Sequence, residues 1–335
     1  MKKRLISIGL VAALLLSMTA CGNKKTEEEN ASKSELKDVT VILDYVPNTN
    51  HTGLYAAKDL GYYEDAGLNV TIIEPTDGVT ATLVAAGKGD FGISYQEDVT
   101  YALASKDPLP IKAIATIIQH NTSGFASIAS KHIQTPKAFE NKVYAGWGAP
   151  SEEAVIHAVM NAAGADFSKL TMVTADGADY STLDNKIDLM WMFWAWDGIA
   201  ATRQGLDLNY IELRSLDKRL DYYTPVIIAN TDTIENDPEL VQAFMDATTK
   251  GYEYAIDNPA ASAEILHKYA DTYDLEMLKE SQEYLAKKYS EDSEVWGLMK
   301  DSVWDGYTDF MVENGLIDKS IPAAECYTNE FIKKK

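Results

Sequence analysis

From Val39 onward the chain alternates β-branched apolar runs with amphipathic ones, and this rhythm limits the folds open to it. "VTVILDY" reads as a strand, and "TGLYAAKDLGYYEDAG" as a helix with Gly61 and Gly67 as stops. "LNVTIIEP" alternates with period two and closes at Pro75. "GVTATLVAAGKGD" and "EDVTYALASK" read as helices, with "FGISY" a short buried strand between them and "IKAIATII" another strand after them. Such a succession implies a mostly parallel sheet covered by helices.

A second cycle opens near residue 130. "KVYAGWG" reads as a strand and "PSEEAVIHAVMNAAGA" as a helix, with Ser151 as N-cap and positions 154, 155, 158, 159 and 162 on its apolar face. "LTMVTA", "IDLMWMFW" and "LNYIEL" read as strands, "TPVIIAN" as a returning strand, and the chain beyond about 232 as helical. There is no repeat of solenoid period. The expected fold is therefore α/β and bilobed. Lobe one is expected to hold 38–125 and 230–335, and lobe two 126–229, with the segments near 121–130 and 224–230 as paired hinge strands. Ligands of open α/β sheets bind beyond the carboxyl ends of the strands, so two such edges facing each other make a cleft.

The residues before Val39 read as an address and a tether. Lys2, Lys3 and Arg4 precede "LISIGLVAALLLSMTA", an apolar run too short to span a bilayer comfortably. It ends in "LSMTAC", which resembles a bacterial lipoprotein signal. That resemblance implies cleavage before Cys21, a lipid on its thiol, and anchorage at the extracytoplasmic face of the cell membrane. Residues 1–20 are then the signal peptide and 21–37 a polar, flexible tether. With Cys21 lipidated, Cys326 is the only other cysteine and no intramolecular disulfide forms. No Cys/His cluster has metal-ligand spacing, so neither a metal nor a cofactor is expected. Removing the three basic residues of the leader from 30 leaves 27 against 51 acidic ones. There is no basic stripe, and nucleic-acid binding is excluded on that ground.

Polar and aromatic groups collect where strands hand over to helices. "DYVPNTNH" gathers Asp44, Tyr45, Asn48 and His51 at the end of the first strand. "SYQED" brings Tyr95, Gln96 and Glu97, and "AGWGAPSEE" brings Trp147, Glu152 and Glu153. "MWMFWAWDG" carries Trp191, Trp194 and Trp196 and ends in Asp197, and "LDYYTP" adds Tyr222 and Tyr223. Asn48 or Asn50 alone also reads as a simple helix cap, the lesser reading, and any one aromatic alone reads more readily as core than as a ligand contact. Together, aromatics beside Asp, Glu, Gln or Asn at several strand ends favour a cleft that stacks and hydrogen-bonds a flat ring. After loss of the leader the only arginines are Arg203, Arg214 and Arg219, none in these loops. Arginine is the preferred bidentate holder of carboxylate, sulfonate and phosphate, so an anionic ligand is disfavoured and a neutral or cationic one with ring or amino N–H donors is favoured.

The stretches "VPNTNHTGLYAAKDLGYYEDAGLNV", "AAGKGDFGISYQE", "IIQHNTSGFAS", "GWGAPSEEA" and "LDYYTPVII" together resemble bacterial solute-binding lipoproteins of the thiamine-pyrimidine-precursor type. These belong to a superfamily that also holds sulfonate binders and fungal thiamine-pyrimidine synthases. The resemblance implies a type II periplasmic-binding fold, delivery of a solute to an ABC permease, no chemistry, and a monomer. It also implies an aminopyrimidine held between aromatic rings, either formylaminopyrimidine or hydroxymethylpyrimidine. Asp44 and Tyr45 then correspond to the acid and aromatic of the first loop, Asn48 and His51 to the "PNTNH" motif, and Trp147 and Glu152 to the "GWG…E" loop. Gln96, Trp194, Trp196, Asp197 and Tyr223 complete the expected ligand-binding set. Riboflavin or another flat heterocycle is the alternative ligand. A synthase-like enzyme is the alternative class, although the chain lacks the cysteine-rich motif of those enzymes.

Overall fold

The computed structural model describes residues 36–75, 79–174, 180–183 and 186–333. The expected signal peptide, Cys21 and most of the tether lie outside the described residues. Ten strands follow in chain order among these residues. The first four are β1 (Lys37–Ile42), β2 (Leu68–Ile73), β3 (Phe91–Ser94) and β4 (Ile111–Thr116). β5 (Ser123–Ile128), β6 (Val143–Gly146), β7 (Thr171–Thr174), β8 (Leu189–Phe193), β9 (Leu208–Glu212) and β10 (Val226–Asn230) complete the set.

They make two five-stranded sheets of the same plan, ordered β2-β1-β3-β10-β4 and β7-β6-β8-β5-β9. In the first, β1 runs parallel to β2 and β3, while β10 enters antiparallel between β3 and β4. In the second, β6 runs parallel to β7 and β8, and β5 lies antiparallel between β8 and β9. The strand expected within 121–130 is thus β5 and that within 224–230 is β10. They sit inside different sheets and do not pair with each other. The chain instead passes between the sheets in the segments 117–122 and 213–225 that precede them. A local apolar pattern identifies each as a strand but carries no information on its partner.

Each sheet has its own apolar core. Val41, Phe91, Ile93 and Ile227 of the first sheet pack with Phe244, Met245 and Tyr252 from the helix Pro238–Asp257. Phe125, Tyr144 and Leu189 of the second pack with Val155, Ile156, Val159 and Met160. That face of the helix Pro150–Ala162 differs from the expected one: Ala162 is exposed and Ala154 and Ala158 only half-buried, while Ile156 and Met160 are buried. The N-cap is Ala149 with Pro150 at the first position, not Ser151. The helix Asp301–Glu313, which follows the lobe-one helices in sequence, contributes Tyr307, Phe310 and Met311 to the second core.

One close approach fixes the first strand-end loop. A Cβ at Gly251 would lie 2.0 Å from the Gly53 carbonyl oxygen, and one at Gly53 would lie 2.2 Å from the Tyr252 ring. These two glycines let the helices Thr52–Asp59 and Pro238–Asp257 cross in backbone contact. The N-terminus that carries residues 48–51 is thereby held against a 20-residue helix.

Candidate functional site

The first loop is a closed hydrogen-bonded turn. The Asn48 side chain accepts from the Asn50 N–H at 2.9 Å and donates to the Val46 carbonyl at 3.0 Å. The Asn48 N–H donates to His51 Nδ1 at 3.3 Å, completing a capping box. Because Nδ1 accepts, the imidazole proton sits on Nε2, which donates to Asp44 at 2.7 Å. His51 is fully buried. The Tyr95 hydroxyl donates to the other Asp44 oxygen at 2.6 Å. Burial pushes the Asp44 carboxyl up, but the hydrogen bonds donated by His51 and Tyr95 outweigh it and leave it below the ordinary value. Asp44 is therefore an oriented carboxylate at the cleft. Asn48 is chiefly a cap, with its surface on the cleft wall, and His51 acts through Asp44.

The Trp147 loop is held from beneath. Glu152, expected to meet the ligand, is 1% exposed. It accepts from the Gly148 N–H at 2.7 Å and from the Tyr144 hydroxyl. A Cβ at Gly146 would lie 1.7 Å from a Glu152 oxygen, and Gly148 has φ +81°, so both glycines are required for the carboxylate to fold under the turn. The result is that Trp147 stands 48% exposed at the end of β6. Its ring meets that of Trp191 edge-on at 5.3 Å between centroids.

After β8 the chain makes a π-helical turn, Trp194–Gly198. Trp196 and Asp197 line the cleft from this turn, and Trp196 also meets the Tyr273 ring at 4.8 Å. Asp197 accepts from the Phe193 N–H at 3.1 Å, and burial pushes its carboxyl up. Trp194 packs against Tyr210 at 4.8 Å and lines neither compartment of the cleft.

Two further expected contacts are structural. Gln96 is fully buried; it accepts from the Tyr223 N–H at 2.8 Å and donates to the Val303 carbonyl at 3.1 Å. Tyr223 is buried against Trp304, and its hydroxyl accepts from the Lys300 N–H at 3.0 Å. Neighbouring residues of an extended segment point to opposite sides. Tyr222, not Tyr223, therefore reaches the cavity.

The cleft has two compartments that share Tyr45, Tyr95, Phe193 and Thr224. One, of about 290 Å³, is also lined by Asp44, Asn48, Asn50, Trp196 and Asp197. The other, of about 410 Å³, is also lined by Trp147, Trp191, Tyr222, Glu97 and Asp98. Tyr45 is 60% exposed and belongs to both. Among the described residues no lysine or arginine lines either compartment. Arg203, Arg214 and Arg219 are each paired with carboxylates elsewhere. Among the described residues no group of three or more His, Cys, Asp or Glu is arranged to hold a metal ion.

Glu97, Asp98, Tyr95, Trp191, Phe193 and Tyr222 line the cleft without belonging to the expected set. Tyr95, Glu97, Trp191 and Tyr222 stand in the strand-end motifs that were read as site-bearing. Asp98, next to Glu97 in the first turn of the helix Gln96–Ala104, does not stand out in the sequence, because acids there are ordinary companions of the helix dipole. Glu97 accepts from Ser151 at 2.7 Å and Tyr307 at 2.6 Å, so it bridges the first sheet's helix to the Trp147 side.

The chain is similar in sequence and in fold to several known proteins. The formylaminopyrimidine-binding protein of Halalkalibacterium halodurans is 25% identical over 336 residues, covering 96% of this chain and 97% of that one. A 4-amino-5-hydroxymethyl-2-methylpyrimidine phosphate synthase of Legionella pneumophila is 22% identical, covering 89% and 94%. The riboflavin-binding protein of Chloroflexus aurantiacus is 22% identical, covering 99% and 98%. Among solved structures, the nitrate-binding protein NrtA of Synechocystis has a TM-score of 0.68 at 12% identity, covering 89% of this chain and 87% of that one. The alkanesulfonate-binding protein SsuA of Xanthomonas axonopodis has a TM-score of 0.67 at 13% identity, covering 88% and 99%. At such identities these structures establish the fold, which is the bilobed type II periplasmic-binding fold. The family model described as NMT1/THI5 like matches residues 48–262, well over half of the sequence, and the chain belongs to that family.

Proposed function

We propose that this chain is an extracytoplasmic solute-binding lipoprotein of an ABC importer that captures a thiamine-related aminopyrimidine in the cleft. The observation that carries this reading is the pair Tyr45 and Trp147. They come from the strand ends of different sheets, both are half-exposed, and they line one cavity that has carboxylates and no basic side chain. A flat ring stacks on such rings, and Asp44 is oriented to accept from an amino or ring N–H. The similarity to a formylaminopyrimidine-binding protein over nearly the whole chain supports the same ligand class. The ABC permease and the membrane, through lipid on Cys21, are the proposed partners, with the protein acting as a monomer.

Riboflavin is the second reading. The two connected compartments together exceed what one pyrimidine ring fills, and a riboflavin-binding relative spans the chain. The enzyme reading is weaker. His51 is buried and bonded at both ring nitrogens, and the chain has only two cysteines.

Native mass spectrometry of protein purified from membranes tests the reading in one experiment. The expected spectrum shows an N-terminus at Cys21 carrying acyl chains and a retained molecule of aminopyrimidine mass. A retained flavin replaces the pyrimidine by the second reading. An unlipidated chain holding an anion overturns both the anchor and the ligand class.

A further inference from the structure

The larger compartment has chemistry that a neutral pyrimidine does not use. Six rings wall it: Tyr45, Tyr95, Trp147, Trp191, Phe193 and Tyr222. Trp147 and Trp191 meet at 71°, forming a corner rather than a flat slot. Tyr222 is fixed from behind by stacking on Tyr307 at 4.1 Å. Two carboxylates, Glu97 and Asp98, also line it, and among the described residues no basic side chain accompanies them. Glu97 is already engaged by the hydroxyls of Ser151 and Tyr307. Asp98 makes no ion pair, and the charged groups that bear on it, Glu97 and Asp44, are both acidic. Burial and these neighbours push its carboxyl up to about 6. The Ser94 side chain opposes this only in part, so a half-buried carboxylate with no cationic partner is left, and it gains when an opposite charge arrives. Aromatic faces attract the same charge through their quadrupoles, and a ring corner over a carboxylate is the chemistry of ammonium recognition.

We infer that the compartment walled by Trp147, Trp191 and Tyr222 is a subsite for an organic cation, a quaternary or protonated amine nitrogen, with Asp98 as its counter-ion. The inference rests on the reading of this cleft as a solute site, not on the ligand being a pyrimidine. It extends the ligand class to molecules that carry a positive centre beside, or attached to, the flat ring.

The test is calorimetric titration of the purified protein with choline and with its uncharged carbon isostere, 3,3-dimethyl-1-butanol. Choline is expected to bind at least tenfold more tightly. Asp98→Asn is expected to abolish that preference while leaving the weak binding of the isostere within twofold. Trp147→Leu, at a half-exposed position that does not hold the core, is expected to reduce choline binding at least fivefold, which keeps the test valid if Asp98→Asn disturbs folding. Equal binding of the two probes, binding of neither, or choline binding unchanged in both variants overturns the subsite. Titration with 4-amino-2-methylpyrimidine separates this result from the pyrimidine reading. Pyrimidine binding without choline preference removes the subsite alone, and choline preference without pyrimidine binding removes the pyrimidine reading alone.

Discussion

Glu152 was expected at the ligand and lies under the loop instead, which changes what its substitution does. Glu152→Gln leaves one of its two donors, the Gly148 N–H or the Tyr144 hydroxyl, facing an N–H, at a cost of roughly 1–3 kcal/mol of stability. It weakens ligand binding only by releasing Trp147. In a double-mutant cycle, Glu152→Gln combined with Trp147→Leu is therefore expected to bind no more weakly than Trp147→Leu alone. Additive losses would restore a direct ligand contact for Glu152. Asp98 gives a prediction of opposite sign. Its folded-state value of about 6 lies above the ordinary 3.8, so the folded chain holds the proton that the unfolded chain has released. Stability then falls as pH rises from about 4 to about 6. The groups facing Asp98 are Glu97 on its own helix and Asp44, Tyr95, Tyr101 and Tyr222 around it. Asp98→Asn is expected to stabilise the ligand-free protein by about 2 kcal/mol at pH 7.5, with the gain gone by pH 4, in paired denaturant titrations. A destabilised variant at pH 7.5 contradicts it. The sequence locates such residues to a loop and no further. Gln96 and Tyr223 stand in site-bearing motifs, yet their side chains point into the structure, because the orientation of single residues in irregular loops follows from contacts made by distant helices.

Between the sheets, the two crossing segments are laced together. His120 Nδ1 meets Asp221 at 2.6 Å and Nε2 meets Asp292 at 3.1 Å, joining one crossing to the other and to the loop before the helix Asp301–Glu313. Asn121 adds a donation to the Leu220 carbonyl, and Asp221 accepts from the Asn121 N–H, both at 2.9 Å. The hydrogen bond His120 donates to Asp221, with that to Asp292 and the charge of Glu291, raises His120 above its ordinary value despite partial burial. A raised histidine stabilises fully below its unfolded value of about 6.5, and this is lost as pH rises through the higher folded value. His120→Gln is expected to lower stability by about 0.5–1 kcal/mol at pH 5.5, since solvent screens the pair, and by nearly nothing at pH 9. A deficit independent of pH would assign His120 a packing role only. The alternation of strands and helices was legible because period two and period 3.6 report burial locally. The hinge pairing was not, since β5 and β10 find partners about 65 to 135 residues away in sequence, and the register of the helix Pro150–Ala162 was displaced because small alanines fit either face.

Taken as one molecule, the chain places two mixed sheets so that the carboxyl ends of their parallel strands share a cleft, and the strand-end motifs were readable because polar and aromatic residues cluster there, although several of them, His51, Gln96, Glu152 and Tyr223, hold the loops from within. The absence of arginine there was equally readable, and among the described residues no basic side chain lines the compartments. The proposed ligand class follows from aromatic faces and an oriented carboxylate, whereas two solved structures of the same fold are named for nitrate and alkanesulfonate binding. The central claim is that a flat aminopyrimidine is held between Tyr45 and Trp147. Stacking of a base on an aromatic side chain contributes roughly 1–3 kcal/mol, which is about fivefold to a hundredfold in affinity. Titration calorimetry with formylaminopyrimidine tests it directly. The wild-type protein is expected to bind, and Tyr45→Leu and Trp147→Leu each to weaken binding by that factor without lowering the melting temperature. Wild-type binding of taurine or nitrate in place of the pyrimidine, or pyrimidine binding untouched by both substitutions, would contradict it.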